Sequence, residues 1–261
     1  MNVLILRVPG TNCDIETKIA FESLGVNVEI AHFNRLLRSR KLLLNYQILV
    51  FPGGFSYGDY VRAGAIWGKK LITKVESELR EFVREGRAIL GICNGFQVLV
   101  ESGLIPGLSS VQVSLTVNTS ARYECRWVYL KHVNNGKCLL TREVPKDRAL
   151  RIPIGHGEGR FIVSNEDSLK EIVNNDLIVF KYVRPDGSEA DGEYPYNPNG
   201  SIMDIAGICN IDGNVLGMMP HPERAFFKWQ LPDWTRTSSA EGYGDGYYVV
   251  ESIVKYIEKK F

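Results

Sequence analysis

Apolar positions along the first hundred residues fall into two alternating spacings. Residues 3–6 are a continuous apolar run of strand length. Residues 14–24 then place Ile15, Ile19 and Leu24 near helical spacing, and Gly25 stops them ahead of a second apolar run at 26–31. This predicts a βαβ unit. The pattern repeats: residues 35–44 read as a helix and Ile48 to Phe51 as a buried strand. Leu71, Val75, Leu79 and Phe82 mark one face of a helix closed by Gly86, and residues 88–92 form the next strand. Short apolar strands separated by helices predict a mostly parallel α/β sheet with helices on both faces, because crossovers of that length carry helices and turn right-handed.

Past residue 110 the period shortens to two. Residues 111–117 and 123–130 alternate as strands, and Asp212-Gly213 predicts a hairpin joining 206–211 to 215–219, so the second half is an antiparallel, β-rich extension. Pro and Gly cluster in residues 184–200, which read as a long functional or mobile loop, and an amphipathic helix over 247–260 closes the chain. No repeat or linker divides the 261 residues, so one domain over 1–261 is expected.

Composition narrows the function. Thirty-one basic and 30 acidic residues nearly cancel, which leaves no electrostatic footprint for nucleic acid and favours a small-molecule substrate or a protein partner. The N-terminus meets Arg7 after a short apolar run and reads as a strand, neither signal nor membrane span. Five cysteines without CxxC spacing argue against a disulfide framework and against a zinc site, and a reducing cytoplasm is the expected setting.

One of those cysteines stands in a chemically suggestive place. Gly91-Ile92-Cys93-Asn94-Gly95 has the glycine-x-nucleophile-x-glycine form of the turn between strand and helix in hydrolases. Glycines there leave room for a strained turn, and the helix that follows directs its N–H groups at the thiol. The pentapeptide alone leaves two readings open, a nucleophile or a buried thiol that follows a strand. A nucleophile needs a base and a group to orient it. His32 and His132 lack a carboxylate at useful spacing and read as surface or satisfied core histidines. His221 lies in Met219-Pro220-His221-Pro222-Glu223, just after an apolar strand, where two prolines stiffen the chain and let Glu223 orient the imidazole. Phe51-Pro52-Gly53-Gly54 runs a strand into a glycine pair whose N–H groups suit an oxyanion, while lacking dinucleotide and phosphate-loop patterns. Cys13 also follows a strand but has no flanking glycines, and its neighbour Asp14 is expected to raise its pKa.

LVFPGGFSYGDYVRAG, GICNGFQVL and MMPHPERA, in that order, resemble the class I (triad) glutamine amidotransferases. RVPGTNCD at residues 7–14, together with 118–127, 154–161 and 196–201, resembles more narrowly the glutaminase subunits of phosphoribosylformylglycinamidine synthase. The resemblance implies a flavodoxin-like open sheet, with Cys93 as nucleophile, His221 as base and then acid, and Glu223 orienting His221. It implies an oxyanion hole from the backbone N–H groups of Gly54 and Asn94, and glutamine held by Gln97, Asn118 and Ser120. No cofactor or metal is expected in this chain. ATP and Mg²⁺ would be used by a large synthetase subunit that takes the ammonia to make formylglycinamidine ribonucleotide in purine (IMP) biosynthesis, with a small third subunit bridging the two. His156 does not match the family's base, Glu158 and Arg160 suit a substrate loop or an interface, and residues 228–246 suit an interface arm.

Three rivals stand beside this. In flavodoxin-like intracellular peptidases a histidine directly follows the cysteine, a place held here by Asn94. An inactive regulatory subunit would not require Cys93, His221 and Glu223 together. An amidotransferase serving another ammonia acceptor would share the triad.

Overall fold

The apolar runs of the first hundred residues become β1 (Asn2–Arg7), β2 (Asn27–His32), β3 (Ile48–Phe51) and β4 (Ala88–Ile92). Between and after them come α1 (Asp14–Glu22), α2 (Phe33–Arg38), α3 (Ala65–Arg84) and α4 (Asn94–Glu101). The second half adds β5 (Val113–Thr116), β6 (Glu124–His132), β7 (Leu150–His156), β8 (Arg160–Val163), α5 (Glu166–Asn174) and β9 (Ile178–Val183). β10 (Ile205–Cys209), β11 (Val215–Met218) and α6 (Gly246–Lys260) complete the chain. This computed structural model describes residues 1–236 and 240–261, so part of the expected interface arm, 237–239, lies outside the described residues.

A nine-stranded sheet in the order β2-β1-β3-β4-β11-β10-β9-β6-β7 carries the molecule, and β5 pairs with β8 in a separate antiparallel ribbon. Its first five strands are parallel and the remaining pairings antiparallel, as the change of period predicts. The predicted hairpin joins the two regimes: β10 turns back antiparallel to β11, and β11 lies parallel to β4. Every residue of β3 and β4 is buried, as expected of central strands covered on both faces.

The helices differ in how well periodicity located their buried faces. In α3, Leu71, Val75, Leu79 and Phe82 are buried as predicted, and Trp67 meets Phe51 edge-on with ring centroids 5.3 Å apart. In α1 the element is right but the face is not: Ile15 and Ile19 are exposed, while Thr17, Ala20 and Phe21 are buried. Phe21 brings a larger apolar surface to the sheet, and Thr17 satisfies its hydroxyl on the Cys13 carbonyl at 2.6 Å. The helix expected over 35–44 breaks at Ser39 into α2 and a separate 3₁₀ segment.

The loop at 184–200 is also better ordered than its composition suggests. Asn197 and Asn199 are buried, Asn197 donating to the Ser201 carbonyl at 2.9 Å and to Asp204 at 2.8 Å, and Asn199 to the Gly159 carbonyl at 2.9 Å. Side-chain amides here supply the partners that a strand ladder would otherwise supply.

The winding reverses between β1 and β3, and ligand sites of open α/β sheets gather beyond the carboxyl ends of strands at such a reversal. Cys13, Gly53, Cys93 and His221 lie in the segments that follow the carboxyl ends of β1, β3, β4 and β11, strands whose parallel pairing puts those ends on one edge.

Candidate active site

Cys93 stands between β4 and α4 with φ 50° and ψ −105°, a left-handed backbone that a side chain rarely adopts. Its flanking glycines make the turn possible. A Cβ on Gly95 would lie 1.8 Å from the Phe51 carbonyl oxygen, and one on Gly91 would lie 2.7 Å from that of Gly95. The Cys93 N–H donates to the Met218 carbonyl at 2.8 Å, which ties the turn to β11. The first bond of α4, from Gln97 N–H to the Cys93 carbonyl at 3.1 Å, leaves the N–H groups of Asn94, Gly95 and Phe96 without an acceptor inside the helix. The Sγ lies 3.5 Å from the Gly155 carbonyl.

His221 reaches this turn from β11, held by its own N–H on the Pro153 carbonyl at 2.8 Å. Pro222 opens a single 3₁₀ turn that carries Glu223 back toward the ring, and His221 Nδ1 meets the Glu223 carboxylate at 2.6 Å. That contact places a proton on Nδ1, so Nε2 is the nitrogen left to exchange a proton with the thiol. Cys93 is 4% exposed, His221 and Glu223 2% each. Burial alone would keep the imidazole neutral, but the Glu223 carboxylate, then Cys93, outweigh it and raise its pKa well above the usual value.

The glycine pair after β3 is shaped by two neighbours. A Cβ on Gly53 would lie 2.7 Å from His221 Cε1 and 3.1 Å from Cys13 Sγ. Gly54 has φ 143°, and a Cβ there would meet the Gly10 carbonyl at 2.6 Å. The Asn94 side chain braces the segment from the other side, accepting from Ser56 N–H at 3.1 Å and donating to Gln97 at 2.9 Å. Asn94 thus contributes its amide group as well as its backbone.

Cys13 sits against the same histidine, a neighbour that the spacing of the motifs did not foretell. Its pKa is raised mainly by burial, with Glu223 adding to it and the contact with His221 opposing. Asp14, the cause expected from sequence, instead faces Arg7 at 3.4 Å. Donor atoms of Cys13, His221 and Glu223 lie within 4.8 Å of one another, a set able to hold a metal ion, although Arg224 donates to Cys13 Sγ at 3.0 Å and places a positive charge there.

A cavity of about 210 Å³ opens beside Cys93, lined also by Gly54, Phe55, Asp59, Gln97, Tyr123 and residues 155–158. Hollows of 450 to 500 Å³ elsewhere on the surface are wider, but no described residue lining them is a cysteine or histidine. The smaller cavity suits an amino acid better than a nucleotide.

The three residues expected to hold glutamine have separate fates. Gln97 lines the cavity, with its amide engaged by Asn94 and by the Glu158 carbonyl. Asn118 and Ser120 are not among the lining residues. Asn118 donates to the carbonyls of Arg122 at 2.9 Å and His156 at 2.8 Å, and Ser120 donates to Glu124 at 2.9 Å, so both hold the wall from behind. Asp59, Tyr123 and Glu158 line the cavity instead; the Tyr-Gly-Asp turn after the glycine pair was the available signal for Asp59. His156 is buried, its pKa pushed down to about 3 by burial and then by His221. His132 is a satisfied core histidine, hydrogen-bonded to Thr141 and Val144, and His32 caps α2.

Over residues 1–257 the chain matches the family model described as the CobB/CobQ-like glutamine amidotransferase domain. The chain belongs to this glutamine amidotransferase family. Among amidotransferase relatives, the phosphoribosylformylglycinamidine synthase subunit PurQ of Archaeoglobus fulgidus is 43% identical, over 99% of this chain and 98% of the relative. The subunit of the same name from Dehalococcoides mccartyi is 40% identical over 98% and 97%. The amidotransferase fold superposes on a chain of the structure of PurLQS from Thermotoga maritima with TM-score 0.72 and 33% identity, covering 98% of each chain. The parallel strands and their antiparallel extension are therefore shared with that structure over nearly the whole chain.

Proposed function

We propose that the protein is the glutaminase subunit of a phosphoribosylformylglycinamidine synthase. In this role it hydrolyses L-glutamine to glutamate and ammonia and passes the ammonia to a synthetase subunit. The observation that carries the reading is the buried His221–Glu223 pair, 2.6 Å apart, beside a cysteine on a strained strand-to-helix turn. Full-length similarity to PurQ subunits supports the choice of acceptor. The family match over residues 1–257 supports reading 1–261 as one amidotransferase domain.

In this mechanism the Cys93 sulfur attacks the side-chain amide carbon of glutamine. His221 Nε2 takes the thiol proton and delivers it to the departing nitrogen, so ammonia leaves and a γ-glutamyl thioester remains. Water, deprotonated by His221, then attacks the thioester, and the thiol returns as glutamate departs. Glu223 holds the imidazole in the Nδ1–H tautomer and stabilises its protonated form. The oxyanion of each tetrahedral intermediate is assigned to the N–H groups of Gly54 and Asn94, the second of which belongs to the free N–H groups of α4. ATP and Mg²⁺ chemistry is assigned to the large synthetase subunit, with a small third subunit bridging the two.

The test is amidine formation by the assembled complex, comparing glutamine with ammonium chloride as nitrogen source. Cys93→Ala is expected to abolish glutamine-dependent turnover and to keep ammonia-dependent turnover. Retained glutamine-dependent activity in a folded variant would refute the role of Cys93. Glutaminase activity without amidine formation would refute the acceptor.

A further inference from the structure

The charged side chains that line the cavity beside Cys93 are acidic. Its lining includes the carboxylates of Asp59 and Glu158, and no described lining residue is lysine or arginine. Asp59 is held in left-handed backbone at φ 52°, after Tyr57 at 54° and Gly58 at 71°, a strained run of a kind that persists at sites of function. The carboxylates have neutral partners: Asp59 accepts from Asn94 at 3.4 Å, and Glu158 from the Ala63 N–H at 3.0 Å. Arg62 is committed elsewhere, to both oxygens of Glu101 at 2.6 Å. Two carboxylates near enough to repel one another share only the outlying charge of Arg62, which acts on Glu158 while its hydrogen bonds go to Glu101, and Asp59 has no cation among its hydrogen-bond partners.

An independent observation points the same way. His156 lines the cavity, is 2% exposed, and its Nε2 has no hydrogen-bond partner. Asn118 donates both amide hydrogens to the carbonyls of Arg122 and His156, so its oxygen, 3.2 Å from His156 Nδ1, must be the acceptor of that contact. The proton therefore sits on Nδ1, and Nε2 is a buried lone pair. A buried acceptor of this kind calls for a donor.

We propose that Asp59 and Glu158 form the α-ammonium subsite for glutamine, with His156 Nε2 as a neutral third acceptor. The proposal rests on the glutaminase reading and deepens it. It makes the chain selective for the free amino acid over a glutamine whose α-nitrogen is acylated, as in a peptide, because an amide nitrogen brings no charge to the two carboxylates.

The test uses the full chain and two reagents for Cys93. 6-Diazo-5-oxo-L-norleucine carries the amino-acid end of glutamine, and iodoacetamide does not. Asp59→Asn, nearly isosteric, is expected to slow labelling by the diazo reagent about tenfold or more and to raise the glutamine KM by a similar factor, with a smaller change in kcat. Labelling by iodoacetamide should stay near the native rate. Glu158→Gln, which keeps an oxygen for the Ala63 N–H, should behave alike. Native diazo labelling rates in both variants would overturn the subsite, and so would equal losses with both reagents, which would mark the two acids as structural. Native protein that reacts at Cys93 with iodoacetamide but never with the diazo reagent would instead remove the glutaminase reading, and the subsite with it.

Discussion

On one side of the cavity, Cys93, Gly53 and Gly54 stand at the ends of parallel strands, and backbone geometry fixes each of them. Gly95 has no room for a Cβ, Gly54 has φ 143°, and His221 hangs from the Pro153 carbonyl. On the other side, Tyr123 and residues 155–158 arrive on the antiparallel pair β6 and β7, and side chains hold them, chiefly Asn118 beneath His156 and Gly159. The first wall tolerates little because its parts touch main chain. The second is tuned by polar groups that can be exchanged one at a time. Chemistry that requires an atom in one place uses the stiffer construction, and the adjustable one brings Glu158 and His156 to the same cavity.

The sharpest break in the comparison should come from the base. His221→Ala should lower kcat for glutamine hydrolysis by about 10³- to 10⁴-fold, whereas substitutions on the opposite wall should act mainly on KM. A loss below tenfold, measured as ammonia release by the full chain, would contradict the role of His221.

Backbone tolerance gives the next largest contrast. Gly95→Ala forces a methyl group into the Phe51 carbonyl and should destabilise the fold by about 3 kcal/mol. Gly157→Ala, whose Cβ would meet nothing closer than Tyr123 at 4.0 Å, should stay within about 0.5 kcal/mol. Thermal or urea unfolding of the two variants distinguishes the walls directly, and equal destabilisation would erase the distinction.

Smaller effects should come from the polar supports. Asn118→Ala removes the group that orients His156 and should raise the glutamine KM by about three- to tenfold, with little change in iodoacetamide labelling of Cys93. The weakest expected signal is a pH dependence. Burial, and then the neighbouring Glu158, push Asp59 up to about 6, above its usual range. The carboxyl is neutral below that value and charged above it, so the glutamine KM should fall as pH rises from about 5 to 7. Asp59→Asn should flatten that limb, and a native KM that rises over the same interval would contradict the ammonium subsite.

The same division decided how much of the molecule its residues announced. Strand-end chemistry leaves local marks, glycines around Cys93 and prolines around His221, because strained or stiffened backbone needs those residue types at those positions. The parallel strands and α3 were equally legible through their apolar runs. Three-dimensional choices were not: α1 turns Phe21 inward and leaves Ile15 and Ile19 outside. Asn118 and Ser120 were expected at the substrate, but their side chains form the scaffold behind the wall. Asp59 and Cys13 reach the site only because separate loops converge there, which their immediate sequence does not fix, whereas Glu158, read from sequence as suiting a substrate loop or an interface, lines the cavity. The buried asparagines of the 184–200 loop show the same limit, since a polar composition does not distinguish solvation from internal hydrogen bonding.

The central claim is that Cys93, and not the neighbouring Cys13, takes the acyl group. Full-length protein mixed with glutamine, quenched in acid within the first turnovers and digested, can be searched by mass spectrometry for a γ-glutamyl adduct. The adduct is expected on the peptide containing Cys93 and should be absent from the Cys93→Ala variant. An adduct on the peptide containing Cys13, or one that persists in Cys93→Ala, would contradict the account.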